Sequence, residues 1–299
     1  MSHITVLQQE AVTALNLKKD SVVIDCTFGS GGHAREILKQ LGAQGVYIGI
    51  DVDENALHTS EQLEAVTKAR VHFVEENFRN ISLVLQKLNY SSVDAIIADL
   101  GWRMEQFDGE SGAPRGFSFK NDEPLAMTYG NPKKYAFTAY DIVNEWREED
   151  IANVIFAYGQ ERYSRRIARS IVEARNNAPI ETSIALATIV ASAMPASHAK
   201  KKIHPATKTF QGLRIAVNDE FDALRELLIN GFELLNTKGR MSIITFHSLE
   251  DRIVKETFKA FTRDQKGVLV TKKPIAPTAE ELRANPRARS AKLRTIEKL

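Results

Sequence analysis

The 299-residue sequence predicts an α/β protein in which a helical segment interrupts a parallel sheet. Three observations carry this reading. Short β-branched runs alternate with helices over the first hundred residues, only helix-period patterns appear from Thr138 to Met194, and a strand followed by a helix returns near Met241. Strands separated by helices form βαβ units, whose parallel sheet is covered on both faces.

Taken in order, Ser21-Val-Val-Ile-Asp25 is the first strand and a helix follows from about His33 to Leu41. Val46-Tyr-Ile-Gly-Ile50 is the second strand, and Asp53 to about Thr67 the next helix. Arg70 to Val74 is the third strand, Phe78 to Leu88 a helix, and Ser92 to Ala98 the fourth strand. From Gly109 to Lys120 the chain is glycine-rich and loop-like. Ile151, Val154, Ile155 and Tyr158 then form an i, i+3, i+4, i+7 stripe, and Ile167, Ile171 and Val172 repeat the spacing between arginines. One long helix is expected from Gln211 to Leu235, then a turn at Thr237–Arg240, a strand over Met241–Phe246 and a helix over Leu249–Phe261. The expected domains are 1–104 together with 211–299, and an inserted helical domain over 105–210.

A composition of 43% hydrophobic and 26% charged residues is that of a folded protein with a sizeable core. One cysteine excludes an intramolecular disulfide framework and a cysteine-cluster zinc site, so no metal is expected. The N-terminal residues lack the charged and apolar regions of a signal peptide, and the run Ile184–Met194 is too short to span a bilayer. A cytoplasmic protein without membrane contact, monomeric or homodimeric, is expected. The formal net charge of +2 hides segregation: residues 1–110 carry a net of −7, residues 160–214 a net of +7 and residues 282–299 a net of +5. Segregation of this kind fits either solvated helix faces or an anionic partner such as nucleic acid.

The turn after the first strand reads Asp25-Cys-Thr-Phe-Gly29-Ser-Gly31-Gly32-His33. Glycines at a strand-to-helix turn let the backbone approach a ligand and present helix N-terminal N–H groups. Asp51 closes the second strand, where an acid can accept hydrogen bonds from ribose hydroxyls. The loop also satisfies the looser dinucleotide fingerprint, so a nicotinamide enzyme is a rival to an S-adenosylmethionine enzyme. Asp99-Leu-Gly-Trp102 at the end of the fourth strand favours methyl transfer, because it supplies polar and aromatic groups but no placed acid/base for a hydride substrate. Methylating carbon 5 of a pyrimidine needs a thiolate nucleophile. Cys26 lies under the glycine loop, away from the substrate side, so nitrogen or oxygen methylation is favoured. Such transfer needs in-line positioning and an acceptor oxygen for the amine. Asp99 is the candidate for that oxygen, and Trp102 is either a stacking surface or a core aromatic.

Several strings go beyond periodicity: His204-Pro-Ala-Thr-Lys-Thr-Phe-Gln211, Phe246-His-Ser-Leu-Glu-Asp-Arg252, Asn285-Pro-Arg-Ala-Arg-Ser-Ala-Lys-Leu-Arg294 and Arg115-Gly-Phe-Ser-Phe119. Together with Thr27-Phe-Gly-Ser-Gly-Gly-His33, they resemble the bacterial 16S ribosomal RNA cytosine-N4 methyltransferases, the methyltransferase H family, from His3 to Leu293. The resemblance implies a class I S-adenosylmethionine-dependent methyltransferase domain, Rossmann-like, with an inserted all-helical recognition domain. It implies transfer of a methyl group to the exocyclic amine of a decoding-region cytidine, with 16S ribosomal RNA or the small subunit as partner. By motif, Gly31, Gly32 and His33 would line the methionine end of S-adenosylmethionine, Asp51 the ribose and Phe78 the adenine. Asp99 and Gln106 would also touch the cofactor. His247 is a candidate active-site imidazole or a structural histidine at a strand end. Ser248 is expected to cap the helix that follows, with Asp251 at its third position.

The chain departs from the family after the fourth strand. The family's Asp-Leu-Gly-Val-Ser-Ser-Pro-Gln-Leu-Asp becomes Asp99-Leu-Gly-Trp102-Arg103-Met104-Glu105-Gln106-Phe107-Asp108. Loss of the paired serines alters the acceptor side of the pocket, and a catalytically weakened RNA-binding assembly factor is the alternative it raises. Phosphate contacts are assigned to Arg162, Arg165, Arg166, Arg169, Lys200, Lys201, Lys202, Lys208, Arg287 and Arg289, with Lys292 and Arg294 beside them. Such residues neutralise the backbone; the target base must still be unstacked into the pocket.

Overall fold

The computed structural model describes residues 4–53, 56, 63, 67–100, 114–195 and 204–299. The chain divides into two compact units, one of Met1–Arg103 with Phe221–Leu299, the other of Met104–Glu220. The expected upper boundary at 210 falls inside the helix Thr207–Asn218, whose Phe210, Leu213 and Val217 are buried in the core of the second unit.

The first unit is built on seven strands: β1 (Val22–Asp25), β2 (Val46–Asp51), β3 (Arg70–Glu75), β4 (Val93–Asp99), β5 (Leu235–Thr245), β6 (Gly267–Leu269) and β7 (Lys292–Lys298). Their order across the sheet is β3-β2-β1-β4-β5-β7-β6. The first five are parallel, and β7 runs antiparallel to β5 and β6. This is the class I methyltransferase arrangement of a Rossmann-like sheet. Side chains alternate between two cores because successive residues of a strand point to opposite faces. Ala95 and Ile97 join Ala34, Ile37 and Tyr47 on one face, while Ile96 and Ile243 join Leu227, Phe232 and Phe258 on the other.

Three expectations from the sequence are corrected. The basic string ending at Arg294 is partly a strand: β7 lies between β5 and β6, with Leu293, Thr295 and Ile296 buried. Its alternation of charged and apolar residues is a period-two pattern that the positive charge obscured. The turn expected at Thr237–Arg240 lies within β5, where pairing with β4 slips between Val93↔Leu235 and Ala95↔Arg240. Lys238 takes φ 66° there, so the chain absorbs the extra residues as a bulge rather than leaving the sheet. The single helix expected over Gln211–Leu235 is two helices, Thr207–Asn218 and Glu220–Leu234, broken at Asp219 with φ 47°. Aspartate tolerates the left-handed conformation better than most residues.

The second unit is helical, with helices at Ala139–Glu145, Glu148–Ala157, Ser164–Arg175, Ser183–Ala193 and Thr207–Asn218. Ile151, Ile155, Ile167, Ile171, Leu186 and Leu213 form its core. Asn218 ties the last helix to the preceding loop, donating to the Met127 carbonyl at 2.7 Å and accepting from the Tyr129 N–H at 2.8 Å. Arg214 meets Glu220 through two hydrogen bonds of 2.7 and 2.9 Å, closing the unit at its C-terminal end.

Candidate active site

The carboxyl ends of β1, β2 and β4 bring one group of sequence-selected residues together. The Cys26 N–H donates to the Ile97 carbonyl at 2.8 Å and the Phe28 N–H to the Ile50 carbonyl at 2.9 Å, so the chain leaving β1 is pinned to both neighbouring strands. It then turns through Gly29 (φ 56°) and Gly31 (φ 72°), and Gly31 is the residue capping the helix Gly32–Gln40. At Gly32 a β-carbon would lie 1.8 Å from Thr5 Oγ1. Glycine is required at Gly31 for its backbone angle and at Gly32 for close approach. His33 is buried in the first turn of that helix.

Asp51, at the end of β2, holds the loop. Its Oδ2 accepts the Gly29 N–H at 2.9 Å and its Oδ1 the Asp53 N–H at 3.0 Å. Phe78 opens the short turn Phe78–Asn80 after β3 and is half-buried against the Ile48–Ile50 core.

Asp99 ends β4. Its N–H donates to Thr27 Oγ1 at 2.7 Å, and its Oδ1 is buried without a hydrogen-bond partner among the described residues. Burial, and then the charges of Asp25 and Glu250, push its carboxyl up to about 8. Asp25 is buried too, and accepts the Tyr47 hydroxyl at 2.9 Å and the Thr27 N–H at 3.1 Å. Burial raises its carboxyl to about 6, against the lowering effect of those two donors. An acid kept neutral next to a glycine loop is a group that a bound cation would ionise. Burial and the Asp25 charge raise the Cys26 thiol well above its ordinary value, which suits a core side chain and not a nucleophile.

His247 precedes the helix Ser248–Arg263 and caps it in place of the expected Ser248, with Glu250 rather than Asp251 at the third position. Its Nδ1 faces the Glu250 N–H at 3.4 Å and its Nε2 lies 3.0 Å from Glu250 Oε1. Nε2 is buried and makes no hydrogen bond among the described residues, so its approach to Oε1 is a contact rather than a bond. Both ring nitrogens thus face Glu250, whose Oε2 also accepts the Phe246 N–H at 2.9 Å. Asp251 instead bonds Arg294 at 2.7 Å and Lys292 at 2.9 Å, and its carboxyl lies below the ordinary range with burial opposing those two bonds. Arg294 is therefore largely buried against Asp251, and Lys292, with 42% of its side chain exposed, is paired to the same carboxylate, a correction to their expected place as free charges at an RNA surface.

The MraW methylase family model matches residues 1–299. The chain belongs to the MraW methylase family. It is 44% identical to "Ribosomal RNA small subunit methyltransferase H" of Brevibacillus brevis, over 99% of this chain and 98% of that protein. Proteins of the same name in Clostridioides difficile and Symbiobacterium thermophilum are 40% and 44% identical, over 99% of this chain and 99% and 96% of theirs.

In this family member, the remaining sequence-selected residues divide. Trp102 and Gln106, together with Lys200, Lys201 and Lys202, lie outside the described residues. Arg162, Arg165, Arg166 and Arg169 are exposed, and the buried stripe of Ile167, Ala168 and Ile171 turns the last three outward. Arg162 stands over the Tyr163 ring at 4.7 Å, Arg169 lies 3.8 Å from Glu148, and Lys208 donates to the Gln160 carbonyl at 2.9 Å. Arg287 and Arg289 are exposed on the short turn Pro286–Ser290. The sequence reading did not select Asp25, Thr27, Tyr47 or Glu250 as site residues. An acid directly ahead of a glycine loop was visible for Asp25; the strand pairing reveals Thr27 and Tyr47, and the helix cap at His247 reveals Glu250.

Proposed function

We propose that this protein is an S-adenosylmethionine-dependent methyltransferase that methylates the exocyclic N4 amine of a cytidine in small-subunit ribosomal RNA. Support for the RNA comes from the relatives' name, over nearly the full length of both chains. The observation that carries the reaction is the buried, unpartnered Asp99 carboxyl oxygen at the end of β4, beside the glycine loop. The residues present fit the cofactor: Gly31, Gly32 and His33 would hold its methionine end, Asp51 its ribose and Phe78 its adenine, with Gln106 as a further contact. When bound, S-adenosylmethionine supplies an electrophilic methyl group on a sulfonium. Asp99 would accept a hydrogen bond from the acceptor amine and orient its lone pair, with Trp102 as a stacking surface. His247 would act chiefly by fixing Glu250 at the rim. The exposed arginines, with Lys200–Lys202, Lys208, Arg287 and Arg289, would bind phosphates, and the work would be done on the ribosomal subunit in the cytoplasm.

The test is to incubate the protein with small subunits lacking the modification and labelled cofactor, then to measure N4-methylcytidine. Label in that nucleoside is expected. Cofactor binding without methylated product would instead support the assembly-factor reading suggested by the Trp102–Met104 departure.

A further inference from the structure

Two hydrogen bonds meet at Thr27. Its N–H donates to Asp25 Oδ1 at 3.1 Å, and its hydroxyl oxygen accepts the Asp99 N–H at 2.7 Å. Asp25 is itself fixed from behind by the Tyr47 hydroxyl at 2.9 Å, and both Asp25 and Tyr47 are buried. Thr27 follows β1 and Asp99 ends β4, and these strands are paired in parallel with Asp25 opposite Ile97. Because β2 and β4 flank β1 on opposite sides, the two residues stand where the strand order reverses, the position at which open α/β sheets bind ligands.

The peptide on the other side of Asp99 is held by the sheet, with the Leu100 N–H donating to the Ile244 carbonyl at 2.9 Å. On the Asp99 N–H side the ladder has ended, and a side chain takes its place. Asp99 Oδ1 has no hydrogen-bond partner among the described residues, so the backbone beneath it does much to aim the carboxyl. Resting on the methyltransferase reading above, we infer that Thr27 is a positioning residue for the transfer: its hydroxyl, braced by Asp25 and Tyr47, sets where the Asp99 carboxyl stands against the acceptor amine. Serine would preserve this function and valine would abolish it, because valine leaves the Asp99 N–H unpaired at nearly the same side-chain volume.

The full-length chain tests this with Thr27→Val, Thr27→Ser and Tyr47→Phe beside wild type. The readouts are melting temperature, S-adenosylhomocysteine affinity, and kcat and KM on small subunits across a pH series. Thr27→Val is expected to fold, to retain S-adenosylhomocysteine binding, and to lose kcat by about tenfold to a hundredfold at unchanged KM for the subunit. Its pH–rate profile should be displaced, and Thr27→Ser should restore most of the rate. Wild-type kcat in Thr27→Val overturns the inference, and so does a loss of activity that merely follows melting temperature in both threonine variants. If Thr27→Val does not fold, Tyr47→Phe decides: a lower kcat at unchanged KM is expected, and an unchanged kcat overturns. A wild-type protein that binds cofactor yet transfers no methyl removes the functional reading itself, and the role of Thr27 with it.

Discussion

Asp99 and Asp25 sit within one hydrogen-bonded group, and their protons respond to the same burial. Asp99 rises from 3.8 to about 8 and Asp25 from 3.8 to about 6. Over those windows the folded protein binds more protons than the unfolded chain, so stability falls as pH increases. The stability belonging to neutral Asp99 is complete below 3.8 and is lost as pH rises to about 8. Asp99→Asn, which cannot ionise, should therefore gain melting temperature over wild type progressively across that interval and level off above it. Thermal melts at a series of pH values check this; a constant difference would contradict the assignment. A sulfonium near the same carboxyl favours its ionised form. S-Adenosylmethionine affinity should thus rise as pH increases toward about 8, and that of uncharged-sulfur S-adenosylhomocysteine should rise less; calorimetry of both measures it. Gly31 is governed by its backbone. At φ 72° an alanine is strained by about 1–2 kcal/mol, so Gly31→Ala should lower stability and weaken cofactor binding together, read by melting and by titration.

The elements that support the site depend on bonds made far along the chain. Strand β7 and the helix Ser248–Arg263 are joined by Asp251, which holds both Lys292 and Arg294. Asp251→Ala leaves a half-buried guanidinium without its partner and should cost about 2–3 kcal/mol in denaturant unfolding. Arg287→Ala and Arg289→Ala, on exposed side chains only a few residues away, should unfold as wild type does. The contrast separates basic residues that serve the fold from those free to meet phosphate. The first four strands and the helices Gly32–Gln40 and Ile81–Lys87 were legible because each is a compact local pattern, while the helix expected over Asp53–Thr67 lies largely outside the described residues. Strand β7 was not: Lys292-Leu-Arg-Thr-Ile-Glu-Lys298 alternates as a strand should, but its charges favour a surface reading until Asp251 and β5 are in place. The break at Asp219 was equally hidden, because the apolar spacing runs through it on both sides.

At the scale of the whole molecule, opposite charge is sorted along the chain: −7 over residues 1–110 and +7 over residues 160–214. Replacing Arg162, Arg165, Arg166 and Arg169 together by alanine should weaken RNA binding and flatten its dependence on salt by about 0.7 log units for each phosphate that is no longer neutralised. S-Adenosylhomocysteine affinity should be unchanged. Filter binding over a range of salt concentrations distinguishes this from loss of folding, which would lower both affinities. The sequence by itself determined the α/β class, the helical insertion, the glycine loop and the family, because these rest on periodicity and on contiguous motifs. The tertiary structure decided which charges are already spent and which polar groups meet. Lys292 and Arg294 paired with Asp251, His247 became a helix cap, and Thr27, Asp25, Tyr47 and Asp99 became one network. Residues 22 and 72 positions apart share no local signal, and only strand pairing places their groups within hydrogen-bonding distance.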